Sequence, residues 1–208
     1  MYLMFLTVFY LLALVFVLTM HEWAHAFVAT RLGDPTPERL GRLSFNPLRH
    51  LDPVGTLALF LVGLGWAKPV PVNPRNFKHP IWDEGLTALA GPLMNLIIAV
   101  FAGALSVLFV EGSIMREFFN AVLDLSLYLM LFNLLPIPPL DGSHFWVLLL
   151  PPSWRESVVI WLERHAVWFL VFLLVDTQFL AQYLGFSLVS STVAAGTYWL
   201  KTLILLLV

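Results

Sequence analysis

The chain lacks cysteine altogether and carries few charged residues. None of its 208 residues is a cysteine, which excludes disulfide bonds, zinc sites built from thiolates and a cysteine nucleophile. Charged residues make up 12% of the sequence, whereas soluble domains carry about 25%. No basic run indicates a nucleic-acid partner. Any metal ligand or acid–base group is therefore expected among histidine, aspartate and glutamate.

Hydrophobic residues are abundant instead. They make up 60% of the chain, and the mean hydropathy is +0.86, outside the range of soluble globular domains. We predict an integral membrane protein, with the lipid bilayer as its constant partner. Its fold class is predicted as all-α and polytopic, a single domain over residues 1–208 with a core at 1–150 and C-terminal helices at 151–208. Five to six transmembrane helices are expected, with a re-entrant or extended segment between the first two core helices.

The stretch His21-Glu22-Trp23-Ala24-His25 places three ionisable side chains inside an apolar run. In a helix, His21 and His25 lie one turn apart on the same face, with about 6 Å between their Cβ atoms, which suits two ligands of one metal ion. Glu22 faces a neighbouring direction and can act as general base on a metal-bound water. Ionisable residues in a membrane span are usually kept for a function. The stretch therefore predicts part of a metal site, with an acidic third ligand elsewhere.

Charge indicates how the first helix crosses the membrane. Residues 1–31 are long enough for a span, and Gly33 and Pro35 predict that the helix ends there. These residues lack the basic start and cleavage site of a secretory signal, so we expect a retained helix. The loop after it is the densest cationic stretch of the sequence, with Arg31, Arg39, Arg42 and Arg49. By the positive-inside rule this loop is cytoplasmic. The paired histidines are then nearer the cytoplasmic face.

The next apolar stretch, residues 54–67, is too short for a span of about 20 residues. Alternating proline and valine follow it in residues 68–75 and favour extended backbone. Both flanks are basic, so we expect the stretch to enter and leave the membrane on one side. Further spans are predicted at 84–110, 121–136, 158–175 and 186–208, with Asp176-Thr177-Gln178 at the last turn.

Asp141 is the best candidate for the acidic ligand. It follows the proline-rich stretch 136–139, where an irregular backbone at membrane depth is tolerated if it lines a cavity or is buried in protein. If residues 54–67 are re-entrant, Asp141 and the histidine pair lie toward the same side of the membrane. The alternative interpretation is an ordinary Asp-Gly turn.

Other polar residues have less specific interpretations. His144 could face the same site, although an interfacial position is the simpler expectation. Asn95 and Asn133 are candidates for substrate binding, as amide donors to a carbonyl or oxyanion, or else for hydrogen bonds between helices. Solvated positions are expected for the remaining histidines considered, which are His50, His79 and His165.

Three stretches taken in order resemble the core motifs of the site-2 protease family of intramembrane zinc metalloproteases. They are His21-Glu22-Trp23-Ala24-His25, Ala90-Gly91-Pro92-Leu93-Met94-Asn95, and residues 132–136 through Leu140-Asp141-Gly142. Residues 41–47 and 66–74 are also similar to the small bacterial and archaeal branch that lacks a PDZ domain. The resemblance covers about residues 15–145. Trp23 is bulkier than the usual residue there, and His144 stands where the branch more often has arginine.

The resemblance implies a zinc endopeptidase that cleaves transmembrane proteins or peptides. His21, His25 and Asp141 would hold one Zn²⁺ per chain, and Glu22 would be the catalytic acid and base. The segment between the first two core helices would offer an edge for an extended substrate. The implied location is a prokaryotic plasma membrane, with the active site toward the cytoplasm.

Two other functions remain open from the residues alone. Histidine and aspartate in broken helices also line ion pathways, so the chain could be a metal transporter, which predicts several metal positions along a route. A catalytically silent regulatory membrane protein would keep the same fold.

Overall fold

The computed structural model describes residues 2–62 and 65–208. Within these ranges the chain is helical and contains no β-strand, in agreement with the predicted all-α class. The helices are α1 (Tyr2–Arg31), α2 (Thr36–Arg39), α3 (Pro53–Val62), α4 (Pro80–Ser106), α5 (Ile114–Asn133), α6 (Gly142–Phe145), α7 (Pro152–Leu174), α8 (Ala181–Leu184) and α9 (Leu188–Leu207).

Among the residues that the structure describes, three helical stretches are long and apolar enough to cross a membrane, by length and composition. They are Thr7–Arg31 within α1, Pro80–Ser106, which is α4, and Pro152–Leu184. These stretches indicate a membrane protein, as the composition predicts. The expected total of five to six spans stays a prediction.

The core forms where α1, α4 and α5 pack together, with α9 against α5. Small side chains line this region: Ala13, Ala99 and Ala102 are almost completely buried. Small residues let helix backbones approach closely, as is common between helices in membranes. Leu123 and Leu127 of α5 are fully buried among them. This packing brings α4 alongside the part of α1 that carries the histidines.

The predicted end of the first helix is confirmed. Gly33 follows α1 with a φ of +111°, a conformation that glycine adopts readily, and Asp34 behind it is fully buried. The Asp34 carboxylate accepts hydrogen bonds from the Thr36 hydroxyl, the Thr36 amide, the Asn73 amide and the Asn76 side chain. Burial raises the pKa of this carboxyl, but the hydrogen bonds outweigh it and hold the pKa below its usual value. Asp34 thereby attaches the loop after α1 to the chain just before α4.

The short apolar segment begins and ends at the same place. An antiparallel bridge joins Leu51 to Ala67, and the Lys68 amide donates to the His50 carbonyl at 2.8 Å. Between them lies α3, and Trp66 packs against its start: a Cβ added to Gly55 would lie 2.3 Å from the Trp66 carbonyl oxygen. Gly63 and Leu64, which belong to the predicted re-entrant stretch 54–67, lie outside the described residues.

The predicted turn at Asp176-Thr177-Gln178 is wrong. The helix continues through a π-helical segment, Val175–Leu180, into α8, and the chain turns at Gly185, where φ is +67°. Asp176 is buried, and its carboxylate accepts hydrogen bonds from the Ser187 hydroxyl and the amides of Leu188 and Val189, which compensate for the loss of water. The carboxylate therefore satisfies the otherwise unpaired first amides of α9.

Candidate metal centre

The two histidines of the HEWAH stretch lie on one face of α1, as their spacing predicts. Both are buried, His21 at 5% exposure and His25 at 7%. Their rings are perpendicular, with centroids 4.6 Å apart, and their Nε2 atoms are 3.0 Å apart. Both nitrogens therefore point at a common position.

Asp141 reaches that position because the backbone after α5 is irregular. The chain folds tightly here: a Cβ on Gly142 would lie 2.3 Å from the Leu135 carbonyl oxygen, and the Trp146 indole donates to the Leu134 carbonyl at 2.6 Å. The Asp141 Oδ2 atom lies 3.2 Å from His21 Nε2 and 3.4 Å from His25 Nε2. The structure thus brings together the three side chains that the sequence nominated as ligands.

The geometry and chemistry of this group fit a divalent cation. The three facing atoms form a triangle with sides of 3.0, 3.2 and 3.4 Å. Ligands about 2.0–2.1 Å from a tetrahedral zinc ion lie about 3.3 Å from one another. Asp141 Oδ2 is buried and makes no hydrogen bond within residues 2–62 and 65–208. Two nitrogens with a carboxylate oxygen are a donor set that zinc accepts. Among the described residues, no other group of three histidine, aspartate or glutamate side chains lies close enough together to hold a metal ion.

The outer nitrogens of both rings are held by α4. His25 Nδ1 donates to the Thr87 carbonyl at 2.8 Å, which leaves Nε2 with a free lone pair for a metal. The Asn95 amide nitrogen lies 3.1 Å from His21 Nδ1. Asn95 is fully buried, and its Oδ1 has no hydrogen-bond partner in the described part of the chain. A half-turn of the amide lets Oδ1 accept from the His21 Nδ1–H. Partners of this kind orient metal-binding histidines.

Gly91 lets α4 approach the two rings. A Cβ at this position would lie 2.3 Å from His25 Nε2 and 2.5 Å from His21 Cε1, far inside contact distance. Gly91 lies between Thr87 and Asn95 on the same helix. The backbone of α4 therefore forms one wall of the candidate site.

Glu22 is buried beside the histidines and faces a buried cation. Its Oε2 lies 3.9 Å from an Arg42 guanidinium nitrogen, and the two side chains are 10% and 5% exposed. The same guanidinium nitrogen donates to the Lys68 carbonyl. Burial lowers the pKa of the Arg42 guanidinium, and the charge of Glu22 opposes that shift. The Glu22 carboxylate therefore lies beside a positive charge, next in the chain to the candidate ligand His21.

The other nominated residues lie differently. Asn133 donates to the Leu129 carbonyl of its own helix at 3.0 Å, and His144 Nδ1 lies 3.6 Å from Glu84 Oε1. Their predicted roles at the site stay predictions. The solvated position expected for His50 is wrong: it is 1% exposed because its ring is folded against the Ser44 carbonyl, 2.7 Å from Nε2. His79 is exposed and His165 is half-buried.

Sequence reasoning missed three contributors. Thr87 acts through its backbone carbonyl, so the residue type gives no indication of this role in the sequence. Gly91 lies in one of the three stretches that resemble family motifs, but its packing role depends on which helix lies opposite. Arg42 looks like Arg39 and Arg49 in the sequence, and only its burial against Glu22 distinguishes it.

The chain is similar to several curated proteins. It is 41% identical over 174 residues to "Putative zinc metalloprotease YwhC" of Bacillus subtilis, covering 79% of this chain and 78% of the relative. It is 32% identical over 164 residues to "Putative zinc metalloprotease Rip2" of Mycobacterium tuberculosis strain H37Rv, covering 76% of this chain and 62% of the relative. The Rip2 of Mycolicibacterium smegmatis is 33% identical over 133 residues, 60% of this chain and 51% of that protein. No protein-family model matches the sequence, and no solved structure matches it. Given the identity and the coverage of both chains in the YwhC comparison, this protein belongs to the zinc-metalloprotease family that includes YwhC.

Proposed function

We propose that this chain is an intramembrane zinc endopeptidase of the site-2 protease type, which hydrolyses peptide bonds of transmembrane substrates. The observation that carries the proposal is the triangle of His21, His25 and Asp141 atoms, with sides of 3.0–3.4 Å, beside the buried Glu22. The names of the relatives support zinc and proteolysis. The apolar helices around the triangle support a membrane-embedded site.

His21, His25 and Asp141 would hold the ion, and three protein ligands are the number found in catalytic zinc sites. When bound, zinc supplies Lewis-acid polarisation of a carbonyl and acidification of a water molecule. Glu22 takes a proton from the attacking water and later delivers it to the leaving amine. Thr87 and Asn95 hold the two imidazoles in the orientation that presents Nε2.

The segment 68–73 is the proposed docking edge for the substrate. No hydrogen bond among the described residues involves the backbone of residues 69–72, so these groups are free to pair with an extended peptide. The segment reaches the site through Arg42, which contacts both the Lys68 carbonyl and Glu22. A substrate helix would have to unwind to bind there, because its own hydrogen bonds otherwise hide its carbonyls.

We propose five spans, with the active site toward the cytoplasm of a prokaryotic cell. Helices α5 and α9 have 20 residues each, or about 30 Å, which is the thickness of the hydrocarbon core. The common start and end of the α3 segment, at the Leu51–Ala67 bridge, favour a re-entrant excursion over a crossing. In this topology the histidine pair of α1 and Asp141 after α5 both lie toward the side of the membrane that holds the cationic loop.

Metal content and cleavage test the proposal together. The purified protein should contain about one zinc ion per chain, and D141A should lose it. Wild-type protein reconstituted with a panel of single-span membrane proteins should cleave at least one, whereas E22Q should retain zinc and cleave none. A zinc-loaded E22Q protein that still cleaves would contradict the role of Glu22. Metal uptake into sealed proteoliposomes without any cleavage would favour a transporter instead.

A further inference from the structure

Arg42 differs from the other arginines of the cationic loop in that its side chain is buried. Its side chain is 5% exposed, whereas the neighbouring Arg39 and Arg49 are exposed. One of its terminal nitrogens faces both Glu22 and the Lys68 carbonyl, and its Nε has no hydrogen-bond partner among the residues that the structure describes. Burying a guanidinium is costly unless its charge is compensated. Glu22 and the Lys68 carbonyl provide that compensation.

The segment beyond Lys68 is hydrogen-bonded at both ends, and between these ends its backbone makes no hydrogen bond to any described residue. At the first end, the Lys68 amide donates to the His50 carbonyl at 2.8 Å, and the Lys68 carbonyl accepts from Arg42. At the other end, the Asn73 amide donates to the Asp34 carboxylate at 2.7 Å. Only the first attachment also contacts the proposed catalytic base.

We propose that Arg42 is a positioning residue that fixes the segment 68–73 relative to the Glu22 carboxylate, so that a peptide paired with this segment is held in line with the base. The inference rests on the proposed protease function. A guanidinium has several donors in a fixed planar fork, so it can contact a carboxylate and a carbonyl at once. Lysine carries the charge but lacks this geometry.

Kinetics on the reporter cleaved best by the wild type give the first test. R42M should lower kcat about 10- to 100-fold, because a shift of about 1 Å between base and substrate has an effect of that size, and it should raise KM. R42K should recover part of the loss in kcat through its charge. D34N loosens only the Asn73 end, so KM should rise with little change in kcat. R39M is the matched control and should behave as the wild type.

A label gives a second readout that needs no activity. Because the chain has no cysteine, V70C carries a single spin label in the middle of the segment. R42M and R42K should both increase the mobility of this label, and R39M should not. If R42M fails to fold, the kinetic and label-mobility measurements are made on R42K instead.

Each outcome bears on the proposal. Wild-type kcat in R42M and R42K would overturn it, and so would an unchanged label mobility. A mobile label with normal kcat would show that Arg42 only holds the segment, which also overturns the link to Glu22. If the wild type cleaves no reporter although it binds zinc, the protease function fails, and the label still decides whether Arg42 fixes the segment.

Discussion

The substitution of Gly91 by alanine is the sharpest test of the site geometry. The added Cβ would lie 2.3 Å from His25 Nε2, 2.5 Å from His21 Cε1 and 2.7 Å from His21 Nε2. Since ordinary contacts of a Cβ begin near 3.4 Å, the rings would have to retreat by about 1 Å. His25 cannot turn away without losing its hydrogen bond to the Thr87 carbonyl. The strain must therefore move α1 away from α4 or displace the ligand nitrogens.

Two magnitudes follow from this displacement. Loss of a partner that orients a ligand typically costs 10- to 100-fold in metal affinity. Because G91A disturbs both imidazoles, we expect a loss near 100-fold, which is about 2.7 kcal/mol of zinc-binding free energy. Overpacking a buried site costs about 1–3 kcal/mol of folding stability. Alanine regains up to about 1 kcal/mol over glycine through its helix propensity. With the full gain subtracted, the net loss of stability is about 0–2 kcal/mol, which is smaller than the expected loss in zinc binding.

Zinc affinity is measured by competition with a chromophoric chelator, and stability by thermal unfolding of the chelated protein in detergent. The matched control is G103A on the same helix, whose Cβ would lie 2.7 Å from the Ile204 Cγ2 methyl. It introduces the same atom against an aliphatic side chain, so stability can change while zinc binding stays normal. If G91A binds zinc as tightly as the wild type, the close approach of α4 to the two rings is wrong.

Three further predictions concern residues around this centre. N95A should weaken zinc binding about 10-fold while D141A abolishes it; equal affinity in N95A and wild type would show that Asn95 does not orient His21. D176A should destabilise the protein by about 0.5–2 kcal/mol through the lost cap of α9, seen as a lower unfolding temperature with unchanged zinc affinity. Because the hydrogen bonds to Asp34 hold its pKa below the usual value, the stability it contributes is present above about pH 4 and is lost as the pH falls through the folded-state pKa. Chelated D34N should lose less stability than chelated wild type between about pH 5 and 3, and parallel acid-unfolding curves would contradict this.

The sequence predicts best what depends on local spacing. His21 and His25 are four residues apart in an apolar run, and helix geometry alone places them on one face. Gly33 and Pro35 likewise predict the end of α1 because both act on the backbone nearby. These features need no knowledge of neighbouring helices.

Asp141 is predicted on different grounds. It is more than a hundred residues from the histidines in the chain, so its nomination depends on a topology argument from charges and on a family resemblance. The structure places its carboxylate 3.2–3.4 Å from both imidazoles. The sequence cannot supply this distance, because it results from how α1, α4 and the broken backbone before α6 pack together.

Asp176 shows how a correct signal leads to a wrong interpretation. A polar residue in an apolar stretch usually marks a loop, so a turn is the natural prediction. The carboxylate is instead buried and accepts from Ser187, Leu188 and Val189 across the real turn at Gly185. A buried acid can stay inside a helix when another helix begins beside it, and only the tertiary structure shows that neighbour.

In the proposed centre α1 supplies His21, His25 and Glu22, and other segments fix these side chains. The Thr87 carbonyl, Asn95 and the bare backbone at Gly91 all belong to α4 and hold the two imidazoles, while Arg42 approaches Glu22 from the loop after α1. Because consecutive helix residues face different directions, the two histidines and the glutamate need separate supports. Substitutions in α4 should therefore affect metal binding first, and substitutions at Arg42 should affect turnover with zinc retained. That separation follows from the placement of the supports and would not arise if all of them acted only through the overall stability of the fold.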